Sequence, residues 1–317
     1  MAQFTRYVPA DAADLVALWN VGAGHAAPLD ARAWAWLTSE DPGFDPAGLL
    51  VARSKRGKAL GFVLAKAVPP TPGLARYAGQ GWVAALAVAP ETQGQGLGRA
   101  LLGAGEAWLR SRGAHTAVLG GAFHHHVPGV PTALPEAVAF FARAGYQPEP
   151  DAWDVFRNLQ ASPALAQPVV APGLALRPCT TPEVPALLAL LAQEFPGRWP
   201  HDVAEALARG ASRPKDLMLA VGPDGPLGFA HLHPPEAPGT WRWGAAVPGV
   251  AALGPIGIAT EARGLGLGRA LLLAGLSHLA GRGAGPCVID WTDLLDFYAL
   301  AGFSPWRCYH RARRRLT

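Results

Sequence analysis

Residues 82–102, WVAALAVAPETQGQGLGRALL, and residues 252–272, ALGPIGIATEARGLGLGRALL, decide how the rest of the chain is interpreted. Each stretch runs from an apolar segment through a glycine-rich turn into a second apolar segment. The six letters LGRALL recur at an offset of 170 residues, and the tripeptide RGA, first seen at 112–114, recurs at 282–284 with the same offset. This internal duplication predicts two copies of one structural unit.

A third repeated element follows in each copy, with a different offset. Residues 140–146 (FFARAGY) resemble residues 297–303 (FYALAGF) at an offset of 157. The difference between the two offsets places an insertion in the first copy, around residues 120–135, which are rich in Gly, His and Pro. That composition predicts a loop.

The length of 317 residues also favours two domains. We therefore predict an α/β fold made of two tandem domains, residues 1–160 and 173–317, each of them a compact unit of similar topology. Residues 161–172 contain three prolines and lack periodicity, so they are predicted to be a linker.

In both copies the glycine-rich turn leads into a segment with helical periodicity. In the first copy Leu97, Leu101, Ala104 and Trp108 are spaced to lie on one helix face. The glycines let backbone N–H groups approach an anion closely, and a helix N-terminus adds unpaired donors and a positive dipole end. The combination favours a phosphate or pyrophosphate ligand.

Other phosphate-binding motifs fit these turns less well. A P-loop requires Gly-Lys followed by Ser or Thr, and neither copy contains it. A Rossmann fingerprint reads G-x-G-x-x-G, whereas both turns read G-x-G-x-G and follow several predicted strands. The alternative is a glycine-rich helix start that only packs tightly against its neighbours. The same turn occurs in both copies in the same context, which argues against this alternative.

The [QR]-x-x-G-x-G turn after a buried strand, with the later aromatic-x-x-x-Gly-aromatic element, resembles the GNAT (Gcn5-related N-acetyltransferase) superfamily. The resemblance covers most of both copies. It implies, for each domain, a mixed, partly splayed central sheet flanked by helices, in which the fourth and fifth strands separate to admit the pantetheine arm of acetyl-CoA. The glycine-rich backbone would bind the pyrophosphate.

The resemblance also implies the cofactor-binding residues of each copy, which lie on the splayed strand and on the turn that follows it. In the first copy they are Leu86, Ala87, Val88, Gln93, Gly94, Gln95, Gly96, Leu97, Gly98 and Arg99. In the second copy they are Ile256, Gly257, Ile258, Arg263, Gly264, Leu265, Gly266, Leu267, Gly268 and Arg269.

The two copies differ at the position where many members of this family carry a catalytic tyrosine. The second copy has Tyr298 four residues before Gly302, whereas the first copy has Phe141 at the matching position. In the family this tyrosine protonates the departing thiolate, a role worth roughly 10²- to 10⁴-fold in rate. The difference predicts that the second copy is catalytic and the first degenerate, although Tyr298 could also be a packing aromatic.

No general base is evident on the predicted splayed strands, because residues 82–88 and 247–258 contain no carboxylate. Asp290, at the end of the predicted strand 287–289, is the first candidate. His231 and His233 are the second, since alternation puts both on one strand face.

The tripeptide His124, His125 and His126 is unsuited to a metal site, because consecutive residues rarely point at one ion and no distant ligand set accompanies it. We expect no metal, and a loop that borders the acceptor site instead. The arginines at positions 311, 313, 314 and 315 suggest a solvated tail, or a contact to the cofactor's 3′-phosphate.

Composition limits the partners. A net charge of +4 is too small to indicate nucleic acid, and no stretch is long and apolar enough for a membrane span. Three widely spaced cysteines and no recognisable signal peptide favour the cytoplasm. We expect either a monomer, as a pseudo-dimer of two domains, or a homodimer.

The resemblance therefore implies an acetyl-CoA-dependent N-acetyltransferase, acting on a small-molecule or peptide amine by direct attack in a ternary complex. A non-catalytic acyl-CoA-binding or regulatory protein is the alternative.

Overall fold

The computed structural model describes residues 3–71, 73–161 and 164–317, which form a mixed α/β fold as predicted. The strands of the first copy are β1 (Gln3–Arg6), β2 (Leu49–Arg53), β3 (Ala59–Ala67), β4 (Gln80–Val88), β5 (Thr116–Leu119), β6 (Val130–Pro131) and β7 (Gln147–Asn158). Those of the second copy are β8 (Ala175–Pro178), β9 (Leu217–Gly222), β10 (Gly225–His233), β11 (Ala251–Ile258), β12 (Pro286–Thr292) and β13 (Ser304–Arg315). The helices are α1 (Ala12–Ala23), α2 (Ala31–Leu37), α3 (Leu97–Ser111), α4 (Pro135–Arg143), α5 (Val184–Glu194), α6 (Arg198–Ala208), α7 (Trp241–Gly244), α8 (Leu267–Gly281) and α9 (Leu295–Ala299).

One mixed sheet runs through both copies. Across the described residues its strand order is β1-β2-β3-β4-β5-β13-β7-β12-β11-β10-β9-β8, and β6 pairs with β13 beside this path. The pairs β4–β5 and β11–β12 are parallel, whereas the other neighbouring strands are antiparallel. The parallel pairs occupy the same place in each copy, as a duplicated topology requires.

The last strand of each copy is exchanged with the other copy. Strand β7 of the first copy lies between β12 and β13, and β13 of the second copy lies between β5 and β7. The cores follow the same exchange: Val155 of β7 and Leu159, which follows this strand, pack with the core of the second copy, while Tyr309 packs with that of the first. Each copy is therefore completed by a strand from the other.

This exchange corrects the expectation that each copy is a compact unit by itself. The two copies do have matching elements, but the sheet continues from one into the other, because the strand that would close each half pairs with its counterpart. The boundaries 1–160 and 173–317 stay a prediction. No helix or strand lies between Asn158 and Ala175 in the part of the linker region that the structure describes.

The two long helices that follow the glycine-rich turns pack closely on the sheet for the same reason in each copy. At the N-terminal end of α3 and of α8 a glycine adopts a left-handed conformation, Gly96 with φ 85° and Gly266 with φ 74°. Inside the helices, a Cβ added at Gly105 would lie 3.0 Å from Val63, and one added at Gly275 would lie 2.9 Å from Leu232 and Leu253. Helix and sheet approach closely because these positions have no side chain.

The arginine-rich C-terminus is a strand, which corrects the expectation of a solvated tail. Residues 311–315 belong to β13 and pair with β5 and β7. The side chain of Arg314 donates to the buried carboxylate of Glu106 at 3.2 Å, and the Tyr146 hydroxyl donates to the same carboxylate at 3.0 Å. This contact fixes the exchanged strand to α3 of the other copy.

In the described part of the chain, no helix combines the length and apolar character needed to cross a bilayer.

The exchange predicts how the two halves behave when they are produced separately. Residues 1–160 alone would leave β7 without either of its neighbours, and residues 161–317 alone would leave β13 in the same state. We expect each fragment to be unfolded or aggregated, because exposed strand edges pair non-specifically. Mixing the two from denaturant should restore a 1:1 complex with native circular dichroism. Two fragments that are each folded and monomeric would contradict the role given to the exchange.

Candidate active site

The second copy has a wedge-shaped opening between β11 and β12. The two strands pair only at Ala251 with Cys287 and at Ala252 with Val288 in the described register, although β11 continues to Ile258. Beyond these pairs the strands diverge around a cavity of about 650 Å³. Backbone groups of β11 that face the opening are available to an extended ligand.

The first copy has a matching opening between β4 and β5. Here the parallel pairing covers residues 80–83 of β4, and the strand then continues unpaired on this side to Val88. A cavity of about 920 Å³ lies at the divergence. The splayed strands expected from the family resemblance are therefore present in both copies.

The glycine-rich turns lie at the end of each splayed strand, next to a helix N-terminus. Gly94 and Gly264 have φ values of 72° and 82°, in the left-handed region that glycine tolerates. The first residue of each turn ties it to the strand, because Gln93 Nε2 donates to the Val88 carbonyl at 2.9 Å and Arg263 Nε donates to the Ile258 carbonyl at 3.3 Å. A Cβ added at Gly94, Gly96, Gly264 or Gly266 would meet nothing within 4 Å. The turns thus present open, donor-rich backbone that fits a pyrophosphate.

Most of the predicted cofactor-binding residues lie on the cavity walls in the first copy and fewer in the second. The cavity of the first copy is lined by Leu86, Ala87, Val88, Gln93, Gly94, Gly96, Gly98 and Arg99. The cavity of the second copy is lined by Ile256, Gly257, Ile258 and Gly268. The other predicted residues lie on the adjoining turns and helix starts.

Tyr298 lies on the wall of the second cavity, on α9, with only 5% of its surface exposed. Burial raises the pKa of its hydroxyl to about 12, and the nearby Asp290 carboxylate adds to the shift. The hydroxyl is therefore protonated at neutral pH, which is the form that a general acid needs. The first cavity has Phe141 on its wall, so no such proton donor stands at the matching position.

Asp290 lies in the same cavity as Tyr298, and its carboxylate contacts the side chains of Arg242 and His125. Arg242 Nη2 lies 2.9 Å from Asp290 Oδ2, and His125 Nε2 lies 3.1 Å from the same oxygen. Burial by itself would raise the pKa of Asp290, yet the Arg242 charge and the hydrogen bond from His125 outweigh it and hold the pKa well below the usual range. A carboxylate in this state accepts a proton poorly.

His231 and His233 share the cavity wall, and their rings lie 4.1 Å apart between centroids. His231 Nε2 lies 2.9 Å from Ser212 Oγ, and His233 Nε2 lies 2.9 Å from the Gly254 carbonyl, to which it donates. Burial lowers the pKa of both imidazoles, so both are neutral. Donation from Nε2 leaves Nδ1 of His233 as its proton acceptor.

The inserted loop of the first copy reaches into the cavity of the second copy. His124 and His125 both lie on its wall. His124 Nε2 lies 3.0 Å from Glu205 Oε2, and its ring stacks on Trp36 with centroids 3.9 Å apart. No cluster of His, Cys, Asp and Glu suited to a metal ion occurs among the described residues. His124 and His125 help to form the cavity, whereas His126 Nε2 donates to the Ala27 carbonyl at 3.2 Å.

Arg198 and Lys66 hold this loop in place. Arg198 donates to the carbonyls of Gly121 and Ala122, both at 2.9 Å. Lys66, which is buried and forms an ion pair with Asp41 at 2.6 Å, donates to the Phe123 carbonyl at 3.2 Å. The loop is thus fixed by one cation from each copy.

Sequence reasoning missed several residues of this cavity, among them Trp36, Arg198, Glu205 and Arg242. The insertion in the first copy indicated a loop that borders the acceptor site. Nothing in the sequence indicated which side chains this loop would contact. These residues lie on α2, α6 and α7, outside the repeated motifs, and only the folded chain brings them together.

Comparison with known proteins agrees with this geometry. The model of the acetyltransferase (GNAT) family matches residues 16–146 and 184–303. The chain belongs to this family and contains two copies of its domain, so it is an N-acetyltransferase.

Among the relatives that match this chain are proteins named mycothiol acetyltransferase. That of Nocardia farcinica is 33% identical over 239 residues, which cover 70% of this chain and 71% of the relative. That of Salinispora arenicola is 30% identical over 328 residues, covering 98% and 95%. Among solved structures, a GCN5-related glucosamine N-acetyltransferase region of a fungal multi-domain beta-N-acetylglucosaminidase superposes with a TM-score of 0.85 at 23% identity, covering 99% of this chain and 38% of that one. At this identity the superposition concerns the fold alone.

The buried histidines predict that the protein loses stability in acid. Burial lowers the pKa of His125 to about 3 and that of His126 to about 4, while an unfolded chain protonates both near 6.5. The free energy of unfolding should therefore fall as the pH drops below about 6.5, by up to about 1.4 kcal/mol per pH unit for each histidine. Asp154, with a pKa raised to about 6, acts in the opposite direction but is a single group. Urea unfolding between pH 7.5 and 5 measures this dependence.

His126→Gln provides the control for this prediction. Glutamine keeps a donor for the Ala27 carbonyl, which His126 Nε2 approaches at 3.2 Å, but it does not titrate. The slope of stability against pH should be smaller in the variant. An unchanged slope would mean that His126 does not contribute to the acid sensitivity.

Proposed function

We propose that the second copy catalyses transfer of an acetyl group from acetyl-CoA to the amine of a small polar acceptor. The observation that carries this proposal is the position of Tyr298 on the wall of a cavity between splayed strands, while Phe141 takes that position in the first copy. The two cavities thus share the features that suit acyl-CoA and differ in the group that suits acetyl transfer.

The first step that the cavity must support is binding of acetyl-CoA. The pantetheine arm would pair with the backbone of Ile256, Gly257 and Ile258, and the pyrophosphate with the N–H groups of the turn from Arg263 to Gly268. The room around the left-handed glycines and the adjoining helix N-terminus support this arrangement.

The chemical step is direct attack of an unprotonated amine on the thioester carbon in a ternary complex. A bond forms between nitrogen and the acetyl carbon, and the carbon–sulfur bond breaks. Tyr298 donates its proton to the departing thiolate, while the amine nitrogen loses one proton to a base. Holding both reactants in one cavity supplies much of the rate enhancement, because a bimolecular step becomes effectively unimolecular.

The base that we favour is His233, one of the two candidates from the sequence. Its imidazole is neutral and its Nδ1 can accept a proton, since Nε2 donates to the Gly254 carbonyl. Asp290, the other candidate, is held by Arg242 and His125, so we assign it the role of orienting these groups within the catalytic cavity.

The acceptor would lie where the two copies meet. The wall there combines aromatic rings with carboxylates, a composition that suits a polar molecule with several hydroxyl or amino groups. The carboxylates of this wall are those of Glu40, Asp202, Glu205, Asp290 and Asp293. The name of the relatives, mycothiol acetyltransferase, supports an acceptor that is related to mycothiol.

The first copy would bind acetyl-CoA without turning it over. Its cavity has the splayed strand and the glycine-rich turn, but Phe141 cannot donate a proton. Up to two molecules of CoA would then bind to each chain.

Substitution at the glycine-rich turns tests the two binding sites. Gly266→Glu places a carboxylate where the pyrophosphate would lie and forces a non-glycine residue into a left-handed conformation, so binding at the second site should be lost. Gly96→Glu is the matched change in the first copy and should remove the other site. Calorimetry should find two CoA sites in the unchanged protein and one in each variant. Unchanged binding in both variants would show that the turns are not the phosphate sites.

Removal of a single hydroxyl tests the catalytic role. In Tyr298→Phe, fold and CoA affinity should persist while kcat falls by roughly 10²-fold, the range expected for general-acid catalysis. Thiol release with acetyl-CoA and a panel of small amines, amino sugars included, measures the change. Gly266→Glu should reduce this activity more than Gly96→Glu.

Tyr146→Phe is the matched control for Tyr298→Phe, since Tyr146 is a buried tyrosine of the first copy that contacts Glu106 and not the second cavity. Its kcat should stay near that of the unchanged protein. Full activity in Tyr298→Phe, together with loss in Gly96→Glu, would move the chemistry to the first copy.

A further inference from the structure

A bulge at the end of β12 lies beside the catalytic cavity. In the pairing of β12 with β7, Ile289 is opposite Val155 and Thr292 is opposite Trp153. Asp290 and Trp291 are therefore both opposite the single residue Asp154. Such a bulge turns the side chains of its strand in a new direction, and bulges are frequent next to active sites.

Trp291 adopts a backbone conformation that costs free energy for any residue other than glycine. Its φ is 49°, and only one other described non-glycine residue, His124, has a positive φ. A bulky side chain persists in this region only where its surroundings hold it there.

The first copy shows what the same position contains where the catalytic tyrosine is absent. The offset of 170 residues relates Trp291 to Gly121, whose φ is 65°. The conformation is thus common to both copies, but the first copy adopts it with glycine, at little steric cost. The offset of 157 residues relates Asp154 to Arg311, so the residue opposite the bulge differs as well.

Asp154 is placed to hold the bulge of the second copy. It is 1% exposed, and its Oδ1 accepts a long hydrogen bond of 3.4 Å from the backbone N–H of Trp291. Its Oδ2 accepts from the Tyr309 hydroxyl at 2.8 Å and from Trp243 Nε1 at 3.2 Å. The carboxylate is therefore fixed on one side while it contacts the strained residue on the other.

The bulge determines which groups face the cavity. It turns Asp290 toward Arg242 and His125, with which it forms the contacts described above. The centroid of the Trp291 ring lies 5.2 Å from the centroid of the His125 ring and 5.3 Å from Cζ of Arg198. The contact with His125 joins the second copy to the inserted loop of the first, and Arg198 of the second copy donates to carbonyl groups of that loop.

We propose that Asp154, on the exchanged strand of the first copy, is a positioning residue for the catalytic cavity of the second copy. It acts through the left-handed backbone of Trp291 and so fixes Asp290 and the loop that carries His125. This inference rests on the proposed function, in which the second cavity is the catalytic one. Strand exchange then does more than complete the sheet, because it contributes a residue that the second copy lacks.

A double-mutant cycle tests the action through Trp291. Glycine needs no restraint to adopt a positive φ, so Asp154→Ala should have a smaller effect when Trp291→Gly is also present. The hydrogen bonds from Tyr309 and Trp243 are lost in both backgrounds, so their contribution cancels when the two effects of Asp154→Ala are subtracted. We expect the shift in the urea midpoint caused by Asp154→Ala to be smaller in the Trp291→Gly background, by the part of the effect that acts through Trp291.

Kinetics supply the second measurement. In Asp154→Ala, kcat should fall by about tenfold or more, whereas KM for acetyl-CoA should change by less than about threefold, because the cofactor strand and turn are not touched. In the Trp291→Gly background the further loss should be less than about threefold. Asp151→Ala, at an exposed position on the same strand, is the control and should leave both constants unchanged. Asp154→Asn, which keeps the shape and one acceptor oxygen, replaces the alanine variant in the same cycle if that variant does not fold.

The outcomes separate this inference from the proposed function. Equal midpoint shifts in the two Trp291 backgrounds would overturn the positioning role, whether or not the protein acetylates amines. Absence of acetyl transfer in the unchanged protein, with the expected coupling in the midpoints, would overturn the proposed function and leave Asp154 as the residue that holds Trp291. Parallel losses in kcat and in CoA binding in Asp154→Ala would also contradict the inference.

Discussion

The antiparallel pairing of β7 with β13 joins the two halves of the molecule, and most other features of the structure depend on it. Each of these strands ends one copy of the duplicated unit, yet each finds its remaining neighbour in the other copy. Hydrogen bonding explains why the exchange is stable, since a strand at a sheet edge leaves a row of N–H and C=O groups unpaired. The exchange satisfies both strands at once and makes one sheet of two.

The exchange also brings unlike residues of the two copies into contact around one cavity. The loop with His124 and His125 belongs to the first copy, while Arg242 and Asp290 belong to the second. The ion pair of Lys66 with Asp41 is buried, and such pairs offset the cost of desolvation only when the geometry is good. Lys66 also donates to the Phe123 carbonyl of this loop. The loop is therefore held in a defined position, where its histidines complete the wall of the second cavity.

Duplication followed by divergence explains the asymmetry of the two cavities. Both retain the splayed strand and the left-handed glycine at a helix N-terminus. The groups that differ are Phe141 and Tyr298, Gly121 and Trp291, and Arg311 and Asp154, which lie at matching positions. Tyr298 and Trp291, which line the second cavity, belong to the second copy, whereas Asp154, which contacts Trp291, lies on the exchanged strand of the first copy.

The sequence by itself determined the duplication, the α/β class, the glycine-rich turns and the contrast between Tyr298 and Phe141. These features are local, since they depend on periodicity, on glycine conformation and on spacing within one copy. Only the tertiary structure decided that the last strands are exchanged and that residues 311–315 form a strand. It also decided that Arg198, Glu205 and Arg242 share a cavity with a loop from the other copy. Strand pairing and buried charge networks join residues far apart in the chain, and the pattern of any single segment is compatible with more than one partner.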